Sequence, residues 1–309
     1  MNKITRRNFL ENATLTCIGT GLTACLADKL VAAEEKVAFQ ISLAQWSLHR
    51  GFYGGTLNNL DFAKMASEDF GITAVEYVNR FFQDKVTDYK YLKEMKMRAE
   101  DHGVRSLLIM CGGEGTLGAA AKKERESAVA NHLRWVEAAK FLNCHSIRVY
   151  ADAEGSADEQ RDRAAEGIRM LCEAAAKQEI NILVENHGGL SSDGAWLASL
   201  IRQIDLPNCG TLPDFGNFNI TPEQTYDRYR GIQELMPYAK GVSAKSYNFN
   251  DNGEETSIDY PRMMDIVLSS GYHGYVGIEY EGPVLSEYDG IRKSKALLER
   301  ICAAASSQK

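Results

Sequence analysis

The sequence predicts an α/β fold, a single (β/α)8 TIM barrel, on three observations. Short β-type runs alternate with longer helical runs from residue 40 to the end. Eight strand–helix pairs can be counted, and that alternation favours a closed parallel sheet. Four of the strand-like runs, 182–187, 209–214, 241–245 and 275–279, end in a polar residue able to bind a metal or move a proton. In a parallel barrel the C-terminal strand ends meet on one rim, so residues distant in sequence converge there.

The elements follow in order. A first strand covers 39–46. A helix over 57–70 is closed by Gly71, a favoured residue after a helix end. The run 74–78 is strand-like, and the polar amphipathic stretch 88–102 is helical and stops at Gly103. Residues 104–110 form a buried-type strand that opens into Cys111-Gly112-Gly113-Glu114-Gly115. That loop lacks phosphate-cradle spacing and reads as a rim loop with unusual dihedrals. A long helix over 122–142 presents an apolar face, and 146–150 is the fourth strand. Helices over 157–178, 194–204, 222–235 and 259–270 then alternate with strands over 180–185, 209–213, 240–245 and 275–279. A last helix, 288–304, closes the ring. A doubly wound open sheet is the competing architecture, but no GxGxxG loop follows the first strand.

The chain has 309 residues, 44% hydrophobic and 25% charged, which suits one large globular core. One barrel takes roughly 250 residues, so residues 37–309 can form it as a single domain. A net charge of −7 disfavours a nucleic-acid partner, which normally demands a basic face. Of seven cysteines, Cys111, Cys144, Cys172, Cys209 and Cys302 are scattered with no metal-type spacing. They are expected as small buried side chains rather than a disulfide framework.

Residues 1–33 are expected to be an export signal outside the fold. Thr5-Arg6-Arg7-Asn8-Phe9-Leu10 precedes a mildly apolar run and resembles a twin-arginine (Tat) signal. Leu22-Thr23-Ala24-Cys25 resembles a lipobox, which would leave a lipid on Cys25 and tether the protein to a membrane. Val31-Ala32-Ala33 resembles an ordinary cleavage site, which would release a soluble protein into the periplasm.

Glu185, Asp214 and Glu279 are the candidate metal ligands. Glu185 and Glu279 each follow an apolar strand run directly, and Asp214 lies between Pro213 and Phe215-Gly216-Asn217. Carboxylates forced together in a dry pocket repel unless a cation or protons separate them, so one divalent metal ion is the first expectation. Glu185 and Glu279 are also candidate bases, with His187 and Lys245 as candidate partner acids. Lys245 has a second reading, as the charge that neutralises a neighbouring carboxylate. Trp46, Glu76, Arg148, Asn217 and Glu281 are candidate sugar-binding residues. Asn79 and Tyr150 lie beside them.

Together Val184-Glu185-Asn186-His187-Gly188, Pro213-Asp214-Phe215-Gly216-Asn217, Val242-Ser243-Ala244-Lys245 and Gly277-Ile278-Glu279 resemble the xylose isomerase-like TIM-barrel superfamily. The resemblance implies a divalent ion (Mn, Mg or Co) held by Glu, Asp, His and Glu from strands five to eight. Glu185, Asp214 and Glu279 match that pattern, whereas Ser243 stands where the His is expected. No His occurs between His187 and His273 to replace it. The implied chemistry is proton abstraction beside a sugar carbonyl, with epimerisation, isomerisation, or lyase and hydratase steps as outcomes. An exported member would meet non-phosphorylated sugars. A barrel that binds carbohydrate without catalysis, its metal lost with the His, is the alternative. A nuclease is disfavoured by the acidic balance and by six His in all.

Overall fold

The computed structural model describes residues 37–307, and the expected export signal, with Cys17 and Cys25, lies outside the described residues. Eight parallel strands form the inner wall: β1 Gln40–Ala44, β2 Ala74–Val78, β3 Arg105–Met110, β4 Ser146–Val149, β5 Asn181–Glu185, β6 Cys209–Leu212, β7 Val242–Ser246 and β8 Tyr275–Tyr280. Each is followed by a main outer helix: α1 Phe62–Phe70, α2 Tyr89–Asp101, α3 Lys122–Phe141, α4 Ala157–Ala176, α5 Gly194–Ile204, α6 Arg228–Leu235, α7 Tyr260–Ser269 and α8 Glu287–Ser306.

The strands are hydrogen-bonded in the order β6-β5-β4-β3-β2-β1-β8-β7. The seam between β6 and β7 is closed by parallel bridges at Thr211–Ala239 and Asp214–Ser243. There the Ser243 N–H donates to the Pro213 carbonyl at 2.9 Å, and the Phe215 N–H to the Ser243 carbonyl at 3.1 Å. The closure makes Asp214 and Ser243 neighbours, which is the first step in building the site.

Side chains alternate across each strand, so each strand feeds two cores. The larger core packs Leu43, Val75, Ile109, Ile147, Ile182, Val242 and Ile278 against the helices. The smaller core is Ala44, Val78, Leu108, Met110, Leu183 and Leu212, which face into the barrel. On β1, β7 and β8 the inward positions are instead Ser42, Ser243, Lys245, Gly277 and Glu279. With Glu76 on β2, Arg148 on β4 and Glu185 on β5 also pointing inward, the barrel interior mixes apolar and ionic side chains.

Two expectations change. The helix over 222–235 begins only at Arg228, and residues 219–225 instead form a hairpin of Asn219–Thr221 with Gln224–Thr225. Thr221 Oγ1 accepts from the N–H groups of Glu223 at 3.2 Å and Gln224 at 3.1 Å, which turns the chain at Pro222. The Asp227 side chain then accepts from the Arg230 N–H at 2.9 Å and caps the helix. The helix over 57–70 likewise becomes α1 preceded by a short 3-10 turn, Asn59–Asp61, capped by Asn58. The loop after β3 matches its reading: Gly113 and Gly115 have φ of 81° and 95°. Cys111, Cys144, Cys172 and Cys209 are buried, Cys302 is half-buried, and all five thiols are free.

Glu76 sits deeper than its place at a strand end suggests. It is 2% exposed and accepts from Ser42 Oγ at 2.6 Å. A Cβ on Gly277 would lie 2.4 Å from Glu76 Oε1, so the absence of a side chain there makes room for the carboxyl. Gly277→Ala is expected to destabilise by about 1–3 kcal/mol through overpacking. Combining it with Glu76→Ala should recover most of that loss, as read from denaturant unfolding of the four proteins of the cycle. Additive losses would show that the two side chains do not compete for the same space.

Candidate metal centre and active site

The strand ends bring the three predicted ligands together. Glu185 ends β5, Asp214 lies two residues past β6, and Glu279 is the penultimate residue of β8. One carboxylate oxygen from each lies within 4.8 Å of the others, and the residues are 1%, 0% and 3% exposed. This is the C-terminal mouth, where barrel enzymes carry their chemistry.

Hydrogen bonds fix each carboxylate. Asp214 Oδ1 accepts from the N–H groups of Gly216 and Asn217, both at 2.8 Å. Asn186 holds the same loop, with its Nδ2 donating to the Asp214 carbonyl at 2.9 Å and its Oδ1 accepting from the Asp214 N–H at 2.7 Å. Ser243 Oγ lies 2.8 Å from Asp214 Oδ2 and 2.9 Å from Glu279 Oε2. A hydroxyl has one proton, so it serves one of these oxygens at a time. Asn217 Nδ2 reaches Glu185 Oε1 at 3.5 Å, a marginal bond.

Two cations enter the cluster. Lys245 Nζ is 2.8 Å from Glu279, 3.1 Å from Glu281 and 3.6 Å from Asp214. Lys245 is 2% exposed. Of its two readings, its geometry is that of the neutralising charge. Arg148 Nε lies 3.0 Å from Glu185 Oε2, but the alignment is not that of a hydrogen bond, leaving both atoms without a partner. Arg148 Nη1 is also buried and unpartnered.

Electrostatics follow from this packing. Burial raises Glu185 above the usual carboxylate range against the pull of Arg148, with Glu279 adding to the rise. Burial likewise raises Asp214, opposed by Lys245. Burial also acts to raise Glu279, yet the ammonium of Lys245 beside it leaves it below its ordinary value. Burial pushes Glu76 up to about 7.

The residues fit a divalent ion. Four acidic side chains (Glu185, Asp214, Glu279 and Glu281) surround two basic ones, Lys245 and Arg148, so acidic groups are in excess. The converging donors are hard oxygens, which suit Mg or Mn. Ser243, in place of the expected His, adds a hydroxyl between Asp214 and Glu279. His187 is not a member of the converging group.

A cavity of about 150 Å³ opens above the cluster, lined by Trp46, Asn79, Arg148, Tyr150, His187 and Glu279 among others. The Trp46 indole N–H donates to Glu281, which fixes its ring beside His49 and Phe81. The His187 ring lies against Tyr150, with centroids 4.5 Å apart, and Arg148 lies 4.4 Å over that same Tyr150 ring. Desolvation against these neighbours, followed by the Arg148 and Lys245 charges, lowers the His187 pKa.

Most predicted residues therefore meet at one place. Of the expected sugar-binding residues, Trp46 and Arg148 line the cavity, whereas Asn217 and Glu281 do not and instead contact Glu185 and Lys245; Glu76 lies apart, outside the cavity lining and with its Oε2 buried without a partner. Its strand end reads as rim in the sequence, but the inward side chain points below Glu279 toward Gly277. Sequence reasoning did not single out Asn186 as a clamp on Asp214, or Arg80 in the cavity wall. Asn186 lies inside a quoted motif and offered that signal. Arg80 offered only its position after a strand.

Glu76 adds its own pH signature, its proton affinity raised chiefly by burial and further by the charges of Glu279 and Glu185. Its folded pKa of about 7 lies above the ordinary 4.5. The unfolded chain thus releases this proton first, and folding stability falls as pH rises from about 4.5 to about 7, then levels. The shift corresponds to about 3 kcal/mol. Urea unfolding in chelator at pH 5 and pH 8 should show a fall, and Glu76→Gln should reduce it, the remainder coming from Glu185 and Asp214, which burial also raises. An unchanged slope in Glu76→Gln would place the titrating group elsewhere.

Comparison with known proteins agrees with the fold. A family model described as xylose isomerase-like TIM barrel matches residues 65–301. The structure of a D-tagatose 3-epimerase-like protein superposes with a TM-score of 0.70 at 17% identity, over 87% of this chain and 99% of that one. The apo 3-keto-D-glucoside 4-epimerase of E. coli gives 0.65 at 18% identity, over 79% and 94%. At such identities the likeness establishes the fold. By sequence, the C-glycoside deglycosidase alpha subunit of Arthrobacter globiformis is 32% identical over 73 residues, 22% of this chain and 21% of that protein. The chain thus matches about a fifth of that relative's length. The matched family model covers most of the barrel, and the chain belongs to the xylose isomerase-like TIM barrel family.

Proposed function

We propose that this chain is an exported, divalent-metal-dependent enzyme that moves a proton beside the carbonyl of a non-phosphorylated keto-sugar. The observation that carries the reading is the buried cluster of Glu185, Asp214 and Glu279 beneath a cavity lined by His187 and Arg148. Solved relatives named as sugar epimerases, one of them acting on a 3-keto-glucoside, support the substrate class.

Glu185, Asp214 and Glu279 would hold the ion, with Ser243 Oγ beside them. A bound divalent ion supplies Lewis-acid polarisation of a substrate oxygen. This chain's own residues supply the rest. His187 stands at the cavity wall and takes the proton from the carbon next to the carbonyl. Arg148 Nη1, a buried donor with no partner, offers a hydrogen bond to the oxyanion that develops. Lys245 keeps Glu279 ionised, and Trp46 presents a ring face to the sugar.

Among the fates of the deprotonated sugar, β-elimination is favoured by the relatives named as deglycosidase alpha subunits. On a 3-keto glycoside the C2–H and C1–O bonds break and a C1–C2 double bond forms. The departing oxygen takes up a proton, and no oxidant is needed. Epimerisation through the same deprotonated species is the second reading, supported by the epimerase neighbours.

The test is incubation of Mn-loaded protein with methyl 3-keto-β-D-glucopyranoside in D2O, followed by NMR. Methanol release with an enone product is expected; deuterium at C2 or C4 without release would indicate epimerisation instead. Chelator or Asp214→Asn should abolish the change, and His187→Ala should slow it by about 10²–10⁴ while the ion stays bound. Absence of both exchange and release, with any metal, would overturn enolisation.

The N-terminal arginine pair supports export as a Tat substrate, with Cys25 or Glu34 as the first mature residue. Cell fractionation should find the wild type outside the cytoplasm and an Arg6→Lys/Arg7→Lys variant retained. Equal distribution of the two would refute the route. Labelling with a radioactive fatty acid should mark the protein if Cys25 carries the tether, and a Cys25→Ala variant should lose the label.

A further inference from the structure

The inner cavity above the carboxylates does not end at Tyr150. Its wall residues Gly112 and Tyr150 also line a second chamber of about 250 Å³. That chamber shares Gly115, Thr116 and Asp152 with a third of about 730 Å³. Through these shared walls the three chambers adjoin in a row, from the barrel mouth past the ends of β3 and β4 to α3.

The chambers differ in size and lining. At about 150 Å³ the inner one falls below the roughly 300–1,000 Å³ usual for ligand pockets. It suits a single ring over the carboxylates. The outermost has an alanine floor of Ala119, Ala120 and Ala128, edged by Thr116, Ser127 and Asn131 and by the charged side chains of Lys123, Glu124, Asp152 and Glu154. Small apolar residues edged by polar and charged hydrogen-bonding groups suit a flat, hydroxylated ring system.

The loop that borders these chambers is fixed in place. Asn79 ties down the backbone of Gly112, donating to its carbonyl at 3.0 Å and accepting from its N–H at 3.1 Å. Glu114 is buried beneath the loop and accepts from Asn79 at 3.1 Å, Gln83 at 3.3 Å and Arg134 at 3.2 Å. Gly115, with φ of 95°, lets the loop pass close to Ala128, where an added Cβ would lie 3.1 Å from the alanine methyl. This loop is therefore anchored on several sides rather than draped over the mouth.

We infer that the substrate is a glycoside rather than a free monosaccharide, with its aglycone, a hydroxylated ring system, lying in the chambers that run past the ends of β3 and β4 to α3. The inference rests on the sugar site proposed above and names its substrate class. Tyr150, shared by the inner and middle chambers, stands where the glycosidic bond would cross. Its ring, packed by His187 and Arg148, becomes the residue that separates sugar from aglycone.

Equilibrium binding tests this without turnover, so its outcome is separate from that of the proton-exchange experiment. Calorimetry would compare matched pairs: methyl and 4-hydroxyphenyl β-glycosides of glucose, galactose and xylose. At least one 4-hydroxyphenyl member should bind tenfold or more tightly than its methyl partner. Ser127→Trp and Ala120→Trp, two exposed positions in the outer chamber, should erase that advantage while leaving melting temperature and methyl-glycoside binding unchanged. Equal affinity within every pair, no binding by any 4-hydroxyphenyl member, or an advantage that survives both tryptophan variants would each overturn the inference.

Discussion

The structure depends on an excess of buried negative charge at the barrel mouth. Glu185, Asp214 and Glu279 bring oxygens within 4.8 Å of one another where water is excluded. Like charges at that separation are mutually destabilising in a poorly hydrated interior. Lys245 and Arg148 offset part of the repulsion, and raised proton affinity at Asp214 and Glu185 marks what they leave. A protein under selection for stability alone would replace such a cluster with apolar side chains. Its retention beneath a cavity points to work done there.

The rest of the barrel holds those groups in place. Closure of the sheet at Asp214–Ser243 joins the sixth and seventh strands where the charges lie. Asn186 ties the Asp214 loop to the end of β5, so two ligands share one clamp. Gly277 leaves space for Glu76 one layer below, which extends the acidic character into the barrel. Leu108, Met110, Leu183 and Leu212 pack as an apolar layer beside these groups. Fixed polar groups set among apolar side chains are the arrangement in which charges act most strongly.

Much of this was legible in the residues. Apolar runs bounded by glycine, each followed by a helical pattern, mark eight strand–helix units. Glu185, Asp214 and Glu279 stand out because each follows an apolar run, where a charge has no solvated face to occupy. Lys245 was read in two ways because alternation gives the face a side chain occupies but not its partners; three nearby carboxylates distinguish the two. Glu76 was misplaced for a related reason: alternation put it inward, but depth along the barrel axis depends on strand stagger and on a glycine across the sheet. The helix start at Pro222 failed because proline at a first helical position and proline in a tight turn look alike locally. Thr221, which closes the turn, was the deciding residue. The outer chamber was not legible because its lining is alanine edged by polar and charged residues, which carry little individual signal.

The central claim is that the three carboxylates gather a doubly charged ion. Elemental analysis of the mature protein, after equilibrium dialysis against micromolar Mn2+ and removal of free ion, tests this most directly. The account expects about one ion per chain, and loss of that ion in both Asp214→Asn and Glu279→Gln variants that still fold. A protein that retains no divalent ion, with the same melting temperature in Mn2+, Mg2+ and chelator, would contradict it.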